Sequence, residues 1–302
     1  MPVLFVLRAL RLGDLLVTVP ALRALRRRWP GHRLVLAAPG GLTPIVREFA
    51  CVDEVCPVAG LDDRPGPAWR WPDIAVNLHG RGPASDRLLA GLAPGRQLGH
   101  GAYGPPWREP MHERDRWCRM LAAHDIPADP ADLRLRTPGP ASPAPGAVVI
   151  NAGASHASRH WPVDRFAAVA RALAERHSVV FSGTATERGR ATDVADRAGL
   201  PRATVLAGRT GLVELAALVA GARLVITADS GVAHLSYAYG TPSVVLFGPA
   251  PADRWGPPAE GPHTVLSADR HRRGDPFADS PDPALLGVGV ADVVAAAQAT
   301  SG

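Results

Sequence analysis

Short apolar runs alternate along most of the chain with longer stretches in which apolar residues recur every three or four positions. The first run, residues 3–7, has the length and composition of a buried strand. Helical spacing follows for about four turns. It ends in Arg26, Arg27 and Arg28, whose charges suit a helix C-terminus, before Pro30 and Gly31 stop it. Residues 33–38 are the next expected strand, 43–49 a helix and 54–56 a short strand, and a Pro, Gly and Asp-rich loop covers 61–72. Strands are expected again at 73–79 and 96–99. Helical spacing over 111–124 places Trp117, Met120 and Leu121 together.

The pattern breaks at residues 137–146, which hold four prolines. Such a segment cannot form a helix interior or a central strand. A second alternation begins beyond it, with strands at 147–151, 178–181, 204–206, 225–228 and 243–248. Helices are expected at 163–177, 186–198, 211–220, 232–239 and 290–299. The expected fold class is α/β: an N-terminal Rossmann-like domain over 1–137, a Pro-rich linker over 138–146 and a C-terminal Rossmann-like domain over 147–302. Two doubly wound domains of this kind should leave a ligand cleft between them, with the chemistry in loops that follow strands.

Composition narrows the classes. The 302 residues are 46% hydrophobic and 20% charged, and every basic side chain other than histidine is an arginine. The Ala, Arg, Gly and Pro bias resembles that of a GC-rich genome, which weakens arguments from arginine abundance. A net charge of +5 suits an anionic ligand such as a nucleotide, and no basic stripe interleaved with aromatics argues for nucleic acid. Cys51, Cys56 and Cys118 show no metal-ligand spacing and fit a reducing cytoplasm. The opening residues read as a first strand and not a signal peptide, and no apolar stretch is long enough to span a bilayer.

The stretch 225–235 carries the sharpest local chemistry. A buried strand runs into Asp229, Ser230 and Gly231 and then directly into a helix. The first N–H groups of that helix, with its positive dipole end, form a natural seat for phosphate or diphosphate. An ordinary βαβ turn capped by Ser or Asp is the plainer account.

Three segments together resemble glycosyltransferase family 9, the heptosyltransferases. Residues 229–235, continuing through Gly240-Thr241-Pro242 and residues 246–249, look like that family's nucleotide-sugar loop. Residues 8–16, with Pro20-Ala21-Leu22 after them, are similar to its opening motif. Asn151-Ala152-Gly153-Ala154, then Arg159-His160-Trp161-Pro162 and Phe166, resembles its central motif. The resemblance implies the GT-B architecture and an inverting, metal-independent transfer of a heptose-like sugar from a nucleoside-diphosphate sugar, ADP-heptose by family. The implied acceptor is a cell-surface glycan or glycolipid.

The resemblance also assigns roles. Asp14 becomes the catalytic base, taking the acceptor's proton, where a helix N-cap is the plainer account. Arg159, where the family commonly has lysine, neutralises the leaving diphosphate. The donor side comprises Gly153, Thr184, Glu214, Asp229, Ser230, Gly231 and His234, with Asp229 accepting from sugar hydroxyls and Glu214 from ribose. Arg11, His79 and Arg81 fall on the acceptor side. The chain departs from the family after residue 267, where cysteines are common and residues 269–275 here read DRHRRGD.

No cofactor or metal is expected, the sugar nucleotide being a substrate. Expected partners are that donor and a glycan, glycolipid or small-molecule acceptor, with peripheral contact to the inner membrane face, no nucleic acid and a monomeric, cytoplasmic protein. Two alternatives stay open: a same-family enzyme acting on a secondary metabolite or another glycan, and a non-catalytic sugar-nucleotide binder. A dinucleotide-dependent oxidoreductase is rejected, because the turn after the first strand has one glycine and not a G-x-G-x-x-G.

Overall fold

The computed structural model describes residues 1–300. Contacts divide the chain into two compact units, with the boundary between Arg136 and Thr137.

In the first unit, β1 (Val3–Leu7), β2 (Arg33–Ala38), β3 (Glu54–Pro57), β4 (Ile74–Asn77) and β5 (Arg96–Leu98) pair in parallel in the order β3-β2-β1-β4-β5. The helices are α1 (Leu12–Leu16), α2 (Val19–Arg28), α3 (Thr43–Val46), α4 (Ala84–Ala90) and α5 (Glu113–Ala122). Buried residues of all of β1 except Val3 and of most of β2 explain their continuous apolar runs, since a parallel sheet covered on both faces leaves little for water. Phe5, Leu7, Val35, Ala37, Ala75 and Leu89 belong to one core cluster of this unit.

The second unit repeats the plan with β6 (Val148–Asn151), β7 (Val179–Ser182), β8 (Leu224–Ala228), β9 (Ser243–Leu246) and β10 (His263–Leu266). Their order is β10-β9-β8-β6-β7, again wholly parallel. Its helices are α6 (Val163–Ala174), α7 (Arg188–Ala198), α8 (Leu212–Ala220), α9 (Gly231–Tyr239), α10 (Ala252–Trp255), α11 (Pro283–Leu286) and α12 (Val290–Thr300). Trp161 is buried against Phe166, edge to face, with its indole N–H donating to the Val288 carbonyl at 3.1 Å. No helix among the described residues is long and apolar enough to cross a membrane.

Two local expectations are corrected. The first four-turn helix is two helices, because Pro20 at the start of α2 has no N–H to give and its ring crowds the carbonyl one turn earlier. Thr18 fills the break by donating its hydroxyl to the Leu15 carbonyl at 2.6 Å. Residues 204–206 form no strand: only a single bridge joins Phe181 to Val205 beside a tight turn at Arg202–Thr204. The strand β10 and helix α4 were not anticipated.

In each unit the strand order reverses beside the first strand, between β1 and β4 and between β6 and β8. The crevice beyond the carboxyl ends at such a point is where this topology takes ligands. The loops there are residues 8–14 and 78–82 in one unit, and 152–161 and 229–231 in the other.

Candidate active site

Arg8 is the first residue beyond β1 and is 1% exposed. Its Nε donates to the Asp14 backbone carbonyl at 2.8 Å and its Nη1 to the Leu78 carbonyl at 2.6 Å. One side chain thus ties the loop after β1 to the loop after β4. Nη2 makes no hydrogen bond and lies 3.8 Å from Asp14 Oδ1. Burial holds the guanidinium below its usual pKa, against the opposing pull of Asp14 and Glu113.

Asp14 is the third residue of α1; the cap position belongs to Arg11, which makes no side-chain cap bond. The N-cap account of Asp14 is therefore excluded. Its side chain is 31% exposed, so its carboxylate is open to solvent where Arg8 is not. His79, half-buried just after β4, is pushed down to about 4, by burial first and then by Arg8. Its imidazole is neutral at physiological pH, with Nδ1 enclosed and without a hydrogen-bond partner.

A second Arg and Asp pair joins the corresponding loops of the other unit. Arg159 closes the tight turn Ala157–Arg159, and its Nη1 lies 3.4 Å from Asp229 Oδ2. Asp229 is 5% exposed, its N–H donates to the Leu246 carbonyl, and His234 Nε2 lies 3.9 Å from its Oδ1. Ser230 occupies the N-cap of α9 without capping it; its hydroxyl meets that of Thr227 at 2.9 Å. Gly231 opens α9, and Gly240, at φ 65°, ends it in the left-handed conformation that glycine adopts freely.

The carboxylate of Glu187 fastens the neighbouring loop, accepting from Thr184 N–H at 2.7 Å and Thr184 hydroxyl at 2.9 Å. Gly153 lies against it: a Cβ there would stand 2.2 Å from Glu187 Oε1. Arg190 donates to the carbonyls of Ala152 and Trp161 and so braces both ends of the loop after β6. His160 Nε2 sits 3.1 Å from the Ala154 carbonyl, a structural contact within the same loop.

The description "Glycosyltransferase family 9 (heptosyltransferase)" matches residues 127–275. Lipopolysaccharide heptosyltransferase 1 of Pseudomonas aeruginosa is 35% identical over 153 residues, 49% of this chain and 42% of that enzyme. Its Salmonella typhimurium counterpart is 26% identical over 277 residues, covering 79% of this chain and 86% of that protein. Among solved structures, E. coli ADP-heptose lps heptosyltransferase II superposes with a TM-score of 0.78 at 20% identity, over 99% of this chain and 98% of the other. A glycosyltransferase family 9 protein of Veillonella parvula gives 0.79 at 20% identity, over 99% and 97%. The chain is heptosyltransferase-like, with its likeness to glycosyltransferase family 9 carried by residues 127–275. Its fold is GT-B.

The family match covers Arg159, Asp229 and α9, and Asp14 lies outside it. In this heptosyltransferase-like chain, structure brings Arg159, Asp229, Ser230, Gly231 and His234 to one switch point, and Gly153 and Thr184 into contact with a common partner, Glu187. Asp14 and His79 share the other switch point with Arg8. Arg11 and Arg81 are exposed and Glu214 is exposed in the first turn of α8. Asp229 differs from its expected use, because its carboxylate is buried and occupied by Arg159.

Sequence reasoning gave no role to Arg8, Glu187 or Arg190. Arg8 did leave a signal, a charged residue set immediately after an apolar strand. Glu187 left one too, the T-x-x-E spacing of a capping box from Thr184, whereas Arg190 left none, since it reads as an ordinary helical surface charge. Two cavities lie elsewhere: one of about 600 Å³ between residues 61–70 and α4, and one of about 650 Å³ beside the starts of β6 and β7. Among the described residues no three His, Cys, Asp or Glu side chains gather as metal ligands.

Proposed function

We propose that this heptosyltransferase-like protein is an inverting, metal-independent glycosyltransferase. It takes a heptose-like sugar from ADP-heptose and places it on a hydroxyl of a cell-surface glycan or glycolipid, working at the inner face of the membrane. The observation that carries the reading is the position of Arg159, held by Asp229 beside the first turn of α9 at a switch point. A cation and a row of unpaired helix N–H groups together suit a diphosphate.

In the proposed step, the acceptor oxygen bonds to the anomeric carbon as the bond from that carbon to the diphosphate oxygen breaks. The acceptor's proton passes to the Asp14 carboxylate. The electron pair leaves on the diphosphate, where Arg159 and the N–H groups of Gly231 and Val232 counter its charge. Attack opposite the leaving group inverts the anomeric configuration. Asp229 contributes by aiming Arg159, and Ser230 offers its hydroxyl to a phosphate oxygen. Gly153 and Thr184 lie on the donor side near the nucleotide, with Glu214 and His234 at its margins. Arg11, His79 and Arg81 lie on the acceptor side.

A thermal-shift screen of ADP-, GDP-, UDP- and dTDP-sugars tests the donor, since a ligand selective for the native state raises its stability with the logarithm of ligand excess. ADP-heptose is expected to give the largest shift; a larger shift with any other base sets the donor assignment aside. Turnover should persist in EDTA, and a loss restored by Mg²⁺ would overturn the metal-free step. Asp14→Ala should abolish transfer while leaving ADP affinity within a few-fold; unchanged turnover would remove Asp14 from the mechanism.

A further inference from the structure

Arg8 is one of the largest fully buried side chains of the protein. Enclosing a guanidinium is costly unless its donors are matched, and an apolar side chain of similar volume would fill the same space without that cost. What surrounds Arg8 explains its presence. Two of its nitrogens are taken by backbone carbonyls at 2.8 and 2.6 Å, and Trp117 of α5 lies beneath it with its ring centroid 5.1 Å away. The remaining nitrogen, Nη2, has no hydrogen bond, and Asp14 Oδ1 is 3.8 Å from it. Glu113 of α5 also acts on Arg8, and Arg8 in turn acts on the imidazole of His79.

Both ends of Asp14 are therefore addressed by one rigid fork: Nε holds its peptide carbonyl and Nη2 confronts its carboxylate. We propose that Arg8 is the positioning residue for Asp14, fixing the backbone and the carboxylate of the base against the loop that follows β4. This rests on the reading of Asp14 as the base. Arg8 is placed to act through Asp14, because its own side chain is enclosed. Its planar geometry matters as much as its charge, since an ammonium cannot serve the Asp14 carbonyl, the Leu78 carbonyl and the carboxylate in one plane.

The test combines turnover, measured as ADP released from ADP-heptose, with crystallography and ADP calorimetry. In Arg8→Met the Asp14 carboxylate is expected to leave its place, with turnover down about 100-fold, the scale of a misplaced catalytic group. ADP affinity should stay within twofold, because the proposed diphosphate residues belong to the other unit. Arg8→Lys, which keeps the charge and serves should the methionine variant fail to fold, is expected to lose about tenfold for want of the fork. Arg8→Lys turnover within twofold of the parent's, or an unmoved Asp14 carboxylate in the variant crystals, overturns the proposal. If Asp14→Ala keeps full turnover, the base reading fails instead, and the crystals still decide what Arg8 positions.

Discussion

Arg159 and Asp229 are unequal partners, and that inequality has consequences. The Asp229 side chain is 7% exposed and that of Arg159 25%. Removing the arginine takes a cation from a carboxylate that is largely enclosed, whereas removing the aspartate leaves a guanidinium that can turn outward. Arg159→Ala should therefore destabilise the protein more than Asp229→Ala, by about 2–3 kcal/mol against about 1–2. Denaturant melts of the two variants give the comparison, and equal losses would mean that the pair is not held through burial. Arg159→Ala should also weaken ADP binding about 10- to 100-fold, the scale of one charge-assisted contact. Calorimetry reads that directly.

His79 makes a pH prediction at the same scale. Its folded pKa of about 4 lies below the ordinary 6.5, so between those values the unfolded chain binds more protons than the native one. Stability should rise with pH through that window and fall as pH drops from about 6.5 toward 4. The shift corresponds to roughly 3 kcal/mol before screening, and partial exposure reduces it to about 1–2 kcal/mol. His79→Gln should flatten the dependence of Tm on pH by that amount. A slope identical to the parent's would assign it to other groups.

At the scale of elements, residues 272–282 act as a strap on the loop that carries Arg159. Ser158 donates its hydroxyl to the Pro276 carbonyl and its N–H to that of Ala278, and accepts the Asp282 N–H on its own carbonyl. Asp282 is fully enclosed and accepts from the N–H groups of Arg273, Gly274 and Ala284, capping α11 as it does so. Asp282→Ala would leave three backbone donors unmatched, at about 3 kcal/mol or more. Hydrogen exchange should quicken at residues 156–160 and 272–284 while β6 and β8 stay protected. Uniform quickening would mean that the strap is part of the global core.

Legibility in the sequence divides along the same line. Strands such as β1, β6 and β8 were readable because a doubly covered parallel sheet demands unbroken apolar runs, and the tight turn before α9 because Asp229-Ser230-Gly231 sits between strand and helix. The break between α1 and α2 hinged on one proline whose position in the turn is a matter of register. Residues 204–206 have strand composition and lack a partner strand. The approach of Arg159 to Asp229 joins side chains 70 residues apart with no pattern to announce the pairing, whereas that of Glu187 to Thr184 follows a T-x-x-E spacing that went unread. Arg8 was visible as a motif residue, and its geometry was not.

For the whole molecule, charge and topology divide the labour together. Met1–Arg136 holds 19 arginines against 14 acidic residues, whereas the second unit holds 14 of each, so the entire net charge of +5 belongs to the first. Each unit has its own five-stranded parallel sheet and its own apolar core cluster. Each unit is therefore expected to fold alone. Residues 137–302 expressed alone should melt cooperatively and bind ADP within about tenfold of the full chain, with weak dependence on salt beyond that of the Arg159 contact. Residues 1–136 should fold without binding ADP and should be held on a cation exchanger at a pH where the other fragment passes through. Turnover should be absent from either fragment, because the proposed base and the proposed diphosphate site are then on different molecules. ADP binding by the first fragment and not the second would reverse the assignment of donor and acceptor sides, and would move the diphosphate from Arg159 and α9 to the switch point occupied by Arg8 and Asp14.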